Sequence, residues 1–183
     1  CLSSAVAFLK GGWCKPKRAA YNHFSKHYNF VFRPYQPQDR DSCLALYKRW
    51  AGERAAKTSD KIYQAMLEDG FSAYKLAIEC FGPLELKGYV IEVKSGIAGC
   101  TFGFALNSKI FCVLFEVCDL DYRGISQFIF SQFCRQLLDY QYVNIMDDSG
   151  LENLRRVKLS YHPARVVSNH VIKRGECNSG IGF

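Results

Sequence analysis

The sequence has no hydrophobic run long enough to cross a membrane: its most apolar stretch, Ile110 to Phe115, falls far short of the roughly 20 residues a spanning helix needs. No Cys-x-x-Cys pair occurs among the nine cysteines. Their odd number, uneven spacing and apolar neighbours mark them as reduced, buried, small hydrophobes rather than a disulfide framework. A Walker loop, a Gly-x-Ser-x-Gly elbow and a dinucleotide fingerprint are all missing, so no motif points to phosphate-loop, serine-elbow or Rossmann chemistry. Repeats, low-complexity tracts and a clear linker are absent too, and neither a signal-peptide stretch nor an initiator Met is present. A cytoplasmic protein is expected. The start at Cys1, followed by a short Leu2–Leu9 segment without an obvious partner, reads as a remnant (residues 1–13) of something longer ahead of one domain (14–175) and a frayed tail (176–183).

What is present fits one folded domain. The 183 residues are 49% hydrophobic and 22% charged, the balance of a globular protein able to bury a core without staples. The net charge of +7 belongs to the two ends. Residues 1–40 carry seven bases and one acid, and residues 151–175 six bases and one acid, whereas 41–150 sum to −3. If the fold brings Lys15, Lys17, Arg18 and Lys26 near Arg155, Arg156, Lys158 and Arg165, one positive surface suited to phosphates results. Two separate solvated faces are the simpler alternative.

Periodicity predicts helices in the first half: a basic amphipathic helix over 17–29, one capped by Asp39 with Cys43, Tyr47 and Trp50 on its apolar face, a third over 60–68 and a fourth over 72–81. A short strand, Phe30 to Tyr35, separates the first two. From Lys87 the period becomes that of an antiparallel meander, Gly88–Val93, Ile97–Leu106 and Lys109–Cys118. A helix beginning near Gly124 and a strand over Tyr142–Met146 follow. Ser149 and Glu152 have capping-box spacing ahead of a helix that Pro163 ends, and a closing strand is expected over Ala164–Ile172. This order predicts an α+β fold, a mixed, mostly antiparallel sheet flanked by helices, and resembles that of the acyl-CoA N-acyltransferase (GNAT-like) superfamily.

Two stretches carry a more specific resemblance. Lys17, Arg18, Asn22 and Phe24 match a Lys-Arg-Asn-x-x-Asn-x-Phe signature, with Ala19 in place of its first Asn. Asn144, Asp148, Gly150, Leu154, Arg155, Lys158 and Pro163 match a second, Asn-x-x-x-Asp-x-Gly-x-x-x-Leu-Arg-x-x-Lys-x-x-x-x-Pro. Over about Cys14 to Lys173 the chain thus resembles the phosphatidylglycerol lysyltransferase C-terminal family (DUF2156). The resemblance implies an aminoacyltransferase-like domain taking its group from aminoacyl-tRNA to a small amine, hydroxyl or lipid head-group acceptor. Relatives carry two such domains in tandem, so it also implies a preceding GNAT-like domain, tRNA and anionic lipid as partners, and a place peripheral to the inner face of the membrane. The integral-membrane portion of lysyltransferases has no counterpart here. A non-catalytic half-domain, acting as a binding or scaffold module of a tandem protein, is the alternative.

Aminoacyl transfer starts from an activated ester, so it needs orientation, a donor for the oxyanion and a carboxylate for the attacking group. Asp148 and Lys158 are the candidate catalytic residues, and Asp147, Arg155, Asn22 and Tyr161 candidate substrate binders. Lys17, Arg18, Arg156 and Arg165 are candidates for phosphate or tRNA. Capping by Asp148 and Ser149 and plain surface charge are the structural alternatives. No cofactor is expected: Asp121-Tyr122-Arg123-Gly124-Ile125-Ser126, where an acetyl-CoA enzyme carries its pyrophosphate loop, lacks the second glycine and has Asp119 and Asp121 beside it. Nor is a metal, since His23 and His27, four apart on a helix with Cys14 as a conceivable third ligand, are more simply surface histidines beside Lys26. His162 is a further acid or base candidate.

Overall fold

The computed structural model describes residues 1–94 and 96–167. Five strands, β1 (Phe30–Pro34), β2 (Lys87–Val93), β3 (Gly96–Asn107), β4 (Ile110–Cys118) and β5 (Tyr142–Asn144), lie side by side in chain order. The first four pair antiparallel, and β5 runs parallel to β4 after a crossover through helix α5 (Ile125–Arg135). The expected meander is therefore present. On one face α3 (Arg40–Ala55) and α4 (Lys61–Glu79) bury Cys43, Leu46, Tyr74 and Ile78 against Val90, Cys100, Phe102 and Val117. On the other, α1 (Ser3–Ala7), α2 (Lys15–His27) and α5 bury Phe24, Phe128, Ile129 and Phe133 against Ile91, Phe111 and Val113. Residues 2–9, which the sequence left without a partner, find one in α5. Val6, Ala7 and Leu9 are core residues, and Ser131 Oγ and Arg135 Nε donate to the Ala7 carbonyl at 2.8 and 3.0 Å.

The expected pair of helices at 60–68 and 72–81 is instead the single helix α4. Asp60 caps it as a true N-cap, accepting from the Ile62 and Tyr63 amides at 2.9 and 3.3 Å. Gly70 does not break it, because its missing side chain is needed: a Cβ there would lie 2.5 Å from Tyr47 Oη on α3. Asp39, expected to cap α3, sits at the cap position but spends its carboxylate elsewhere. It takes both Arg33 terminal nitrogens at 2.7 Å and the Gln36 amide at 2.8 Å, and Glu92 holds Arg33 Nε at 3.0 Å, so the start of α3 is tied to the β1–β2 edge. Of the expected closing strand, Ala164–Val167 is not extended sheet, and the remainder lies outside the described residues.

Gly124 fixes where α5 begins. It occupies the N-cap with φ +88°, and a Cβ would fall 2.1 Å from the Ala20 carbonyl oxygen on α2. Gly124→Ala is expected to cost about 2 kcal/mol through both strain and the clash, read as a lowered denaturant midpoint with unchanged slope.

Candidate functional site at the open side of β4

A register shift in β4 and the shortness of β5 together build the site. Phe102 pairs with Phe115 but Gly103 with Val113, so Leu114 is an extra residue and the strand bulges there. Before the bulge, Phe111 and Val113 face the α5 side; after it, Phe115 and Val117 face α3 and α4. Glu116 therefore takes the α5 face, directly opposite Thr101 on β3. Pairing with β5 ends at Cys112–Asn144, so among the described residues Val113–Cys118 has no strand on that side. Glu116 stands in this opening, partly exposed, with no hydrogen bond or ion pair among the described residues. Burial alone pushes its carboxyl up from 4.5 to about 8. Thr101 Oγ1 opposite is wholly buried and has no partner among the described residues.

Tyr161 lies within electrostatic reach of Glu116. Its ring packs edge-on against Phe130 of α5 with centroids 5.0 Å apart, and Lys17 Nζ lies 4.5 Å from its centroid. Burial, then the neighbouring charges of Glu116, Cys134 and Cys14, hold the Tyr161 hydroxyl proton far above its ordinary range. Cys134 is pushed up too, by burial and then by Glu116. At neutral pH these groups are an uncharged hydroxyl and thiol beside one carboxyl.

The β5–α6 turn supplies the other half, α6 being Glu152–Leu159. Lys158 reaches back along the helix, as helical side chains do, and donates to the Asp147 carbonyl. Desolvation lowers its ammonium, while the Asp147 and Asp148 carboxylates act the other way. The structure thus brings Lys158 to both aspartates. Asp148 Oδ1 accepts from the Gly150 amide at 3.0 Å, and Asp147 Oδ1 accepts from the Ser149 amide and hydroxyl at 3.0 and 3.2 Å. The expected capping box does not form: Ser149 has φ +52°, and the N-cap of α6 is Leu151, with no side chain capping it. The two extra residues of the turn carry Ser149 off the helix. Ser149→Ala is accordingly expected to shift the denaturant midpoint by under about 0.5 kcal/mol, the size of an ordinary surface change.

The basic ends meet in part. Lys17 Nζ donates to Ser160 O and Oγ at 2.9 and 2.8 Å, and Trp13 packs on His162 with centroids 4.7 Å apart. Arg18 is spent on the Leu9 and Gly11 carbonyls at 2.5 and 2.7 Å. The side chains of Arg155, Arg156 and Arg165 are exposed and unpaired among the described residues, and so is that of Asn22, whose carbonyl accepts from Ser25 Oγ at 3.2 Å. His23 and His27 stack on each other at 4.2 Å, each Nδ1 facing a backbone carbonyl. Glu116 was not among the candidates, although one signal was available: it is the single charged residue in the otherwise apolar strand β4.

The family model for the phosphatidylglycerol lysyltransferase C-terminal region matches residues 2–172. The chain belongs to that family. Among solved structures, a conserved protein of unknown function from Bacteroides thetaiotaomicron VPI-5482 is 30% identical with a TM-score of 0.79, over 90% of this chain and 55% of that one. The C-terminal domain of a putative lysylphosphatidylglycerol synthetase from Agrobacterium fabrum is 14% identical with a TM-score of 0.59, over 88% and 55%. A possible acetyltransferase from Clostridium difficile 630 matches at 14% identity and a TM-score of 0.55, over 80% and 97%. The last two show the fold, GNAT-like and α+β as expected. This lysyltransferase-family chain spans a little over half the length of the first two relatives. Curated protein sequences give no match. The family and the fold make the chain an acyltransferase-like domain, and no helix among the described residues is long and apolar enough to cross a membrane.

Proposed function

We propose that the domain transfers an aminoacyl group from aminoacyl-tRNA to a small hydroxyl, amine or lipid head-group acceptor, with Glu116 as the proton acceptor. The observation that carries this reading is the Glu116 carboxyl, without a partner among the described residues, in the opening beside β4 and within electrostatic reach of the neutral Tyr161 hydroxyl. The acceptor's hydroxyl or amine attacks the ester carbonyl, and its proton passes to the Glu116 carboxylate. As the new bond forms, the Tyr161 hydroxyl donates to the oxyanion. The ester bond to the ribose oxygen then breaks, and that oxygen takes the proton back from Glu116. Asp148 pairs with the donor's α-ammonium, and Lys158 positions the 147–148 turn that presents it. Arg155, Arg156 and Arg165 supply charge for the tRNA backbone, the tandem domain of the longer relatives the remaining surface.

The test is a labelled charged-tRNA pool incubated with the full-length protein and an extract of small molecules and lipids. Label leaving the tRNA for an acceptor, faster with protein than without, is the expected result. Label that stays on the tRNA, or is released only to water at the protein-free rate, would favour the scaffold reading.

A further inference from the structure

A second cluster of cations lies away from Glu116. The turn joining α3 to α4 and the start of α6 flank a shallow, open groove of about 310 Å³ lined by Arg54, Lys57, Thr58, Asp60, Tyr63, Leu151 and Asn153. Arg54 lies with its guanidinium 4.5 Å from the Trp50 ring centroid, a cation–π contact. Its Nε is sealed from solvent and has no acceptor, and Arg54 forms no ion pair among the described residues. A sealed guanidinium N–H without a partner is costly and therefore uncommon.

The turn itself does not need these cations. The α3 terminus is closed by backbone, Ala56 N to Gly52 O at 3.0 Å, Lys57 N to Arg54 O at 3.1 Å and Thr58 N to Ala55 O at 3.3 Å. Thr58 Oγ1 takes the Asp60 amide and Thr58 O takes Gln64 Nε2. The one carboxylate in the groove, Asp60, has an oxygen committed to the Ile62 and Tyr63 amides. The nearest acids along the chain, Glu53 and Glu152, are exposed and make no ion pair among the described residues. Arg54 and Lys57 outweigh Asp60, and the Asn153 carboxamide adds a neutral donor on the opposite wall.

We infer that this groove binds a phosphoryl anion, with the planar Arg54 fork on two of its oxygens, Lys57 as a point charge and Asn153 across from them. Nothing in the transfer reaction proposed above uses these residues. The test follows ¹⁵N spectra of the full chain, including the Arg54 Nε–H signal, during separate titrations with inorganic phosphate, dimethyl phosphate and chloride at constant ionic strength. Saturable shifts of Arg54, Lys57 and Asn153 with phosphate are expected, weakened at least about tenfold in Arg54→Met/Lys57→Met and unchanged in the control Lys109→Met. An equal response to dimethyl phosphate assigns a phosphodiester; a response to phosphate alone assigns the free ion. Should the double variant fail to fold, Lys57→Met, which alters one exposed side chain, carries the comparison. No saturable shift, an equal shift with chloride, or an unaltered affinity in the variants would overturn the site.

Discussion

Glu116→Gln is expected to slow transfer by about a hundredfold or more while making the protein more stable at neutral and alkaline pH. The two effects have one cause. Glu116 is desolvated without a compensating partner among the described residues, so its folded-state carboxyl holds a proton up to about 8 whereas the unfolded chain releases it near 4.5. Between those values the folded state binds more protons, so this residue's contribution to stability falls as pH rises and its penalty is complete above about 8. Glutamine keeps the shape and removes the charge. The variant should match the wild type below about pH 4.5 and exceed it at pH 8 and above by on the order of 1–2 kcal/mol in denaturant melts. A base in a sealed packing role would lose both stability and activity on substitution, so the opposite signs are diagnostic.

Asp148→Asn and Lys158→Met are expected to lower transfer by about a hundredfold for at least one of the pair, with melting temperatures nearly unchanged. The aspartate's structural role is one the asparagine can keep, since Oδ1 accepts the Gly150 amide and a carboxamide oxygen does the same. What asparagine loses is the charge for an ammonium. Lys158 acts at one remove, through its bond to the Asp147 carbonyl, so its loss should appear chiefly as weaker donor binding, in KM more than in kcat. Equal losses of stability and activity in both variants would reassign the two residues to the fold.

Much of the architecture was legible because it is local. The turn signals at 94–96 and 107–109 separate strands with the right period, and the apolar spacing of Ile125, Phe128, Ile129 and Phe133 marks the face of α5 that is buried. The misreadings each turn on a distant atom or an uncommon backbone angle. Gly70 reads as a break until Tyr47 is known to fill the space beside it. Ser149 reads as a cap until its positive φ takes it off the helix. The site divides in the same way. Asp147, Asp148 and Lys158 lie within one strand–turn–helix unit, so their proximity follows from helical geometry. Glu116 could be noticed as a lone charge, but its place depends on the Leu114 bulge, which exchanges the two faces of β4, and on the end of pairing with β5. Neither is written in the neighbouring residues.

The most direct measurement is the pH dependence of single-turnover transfer from charged tRNA, for the wild type and Glu116→Gln side by side. The wild-type rate should rise with pH and level off above a midpoint near 8, where the carboxylate becomes available, and the variant should be slow with that rise missing. A wild-type profile without a midpoint between about 7 and 9, or the same rising limb in the glutamine variant, would contradict Glu116 as the proton acceptor.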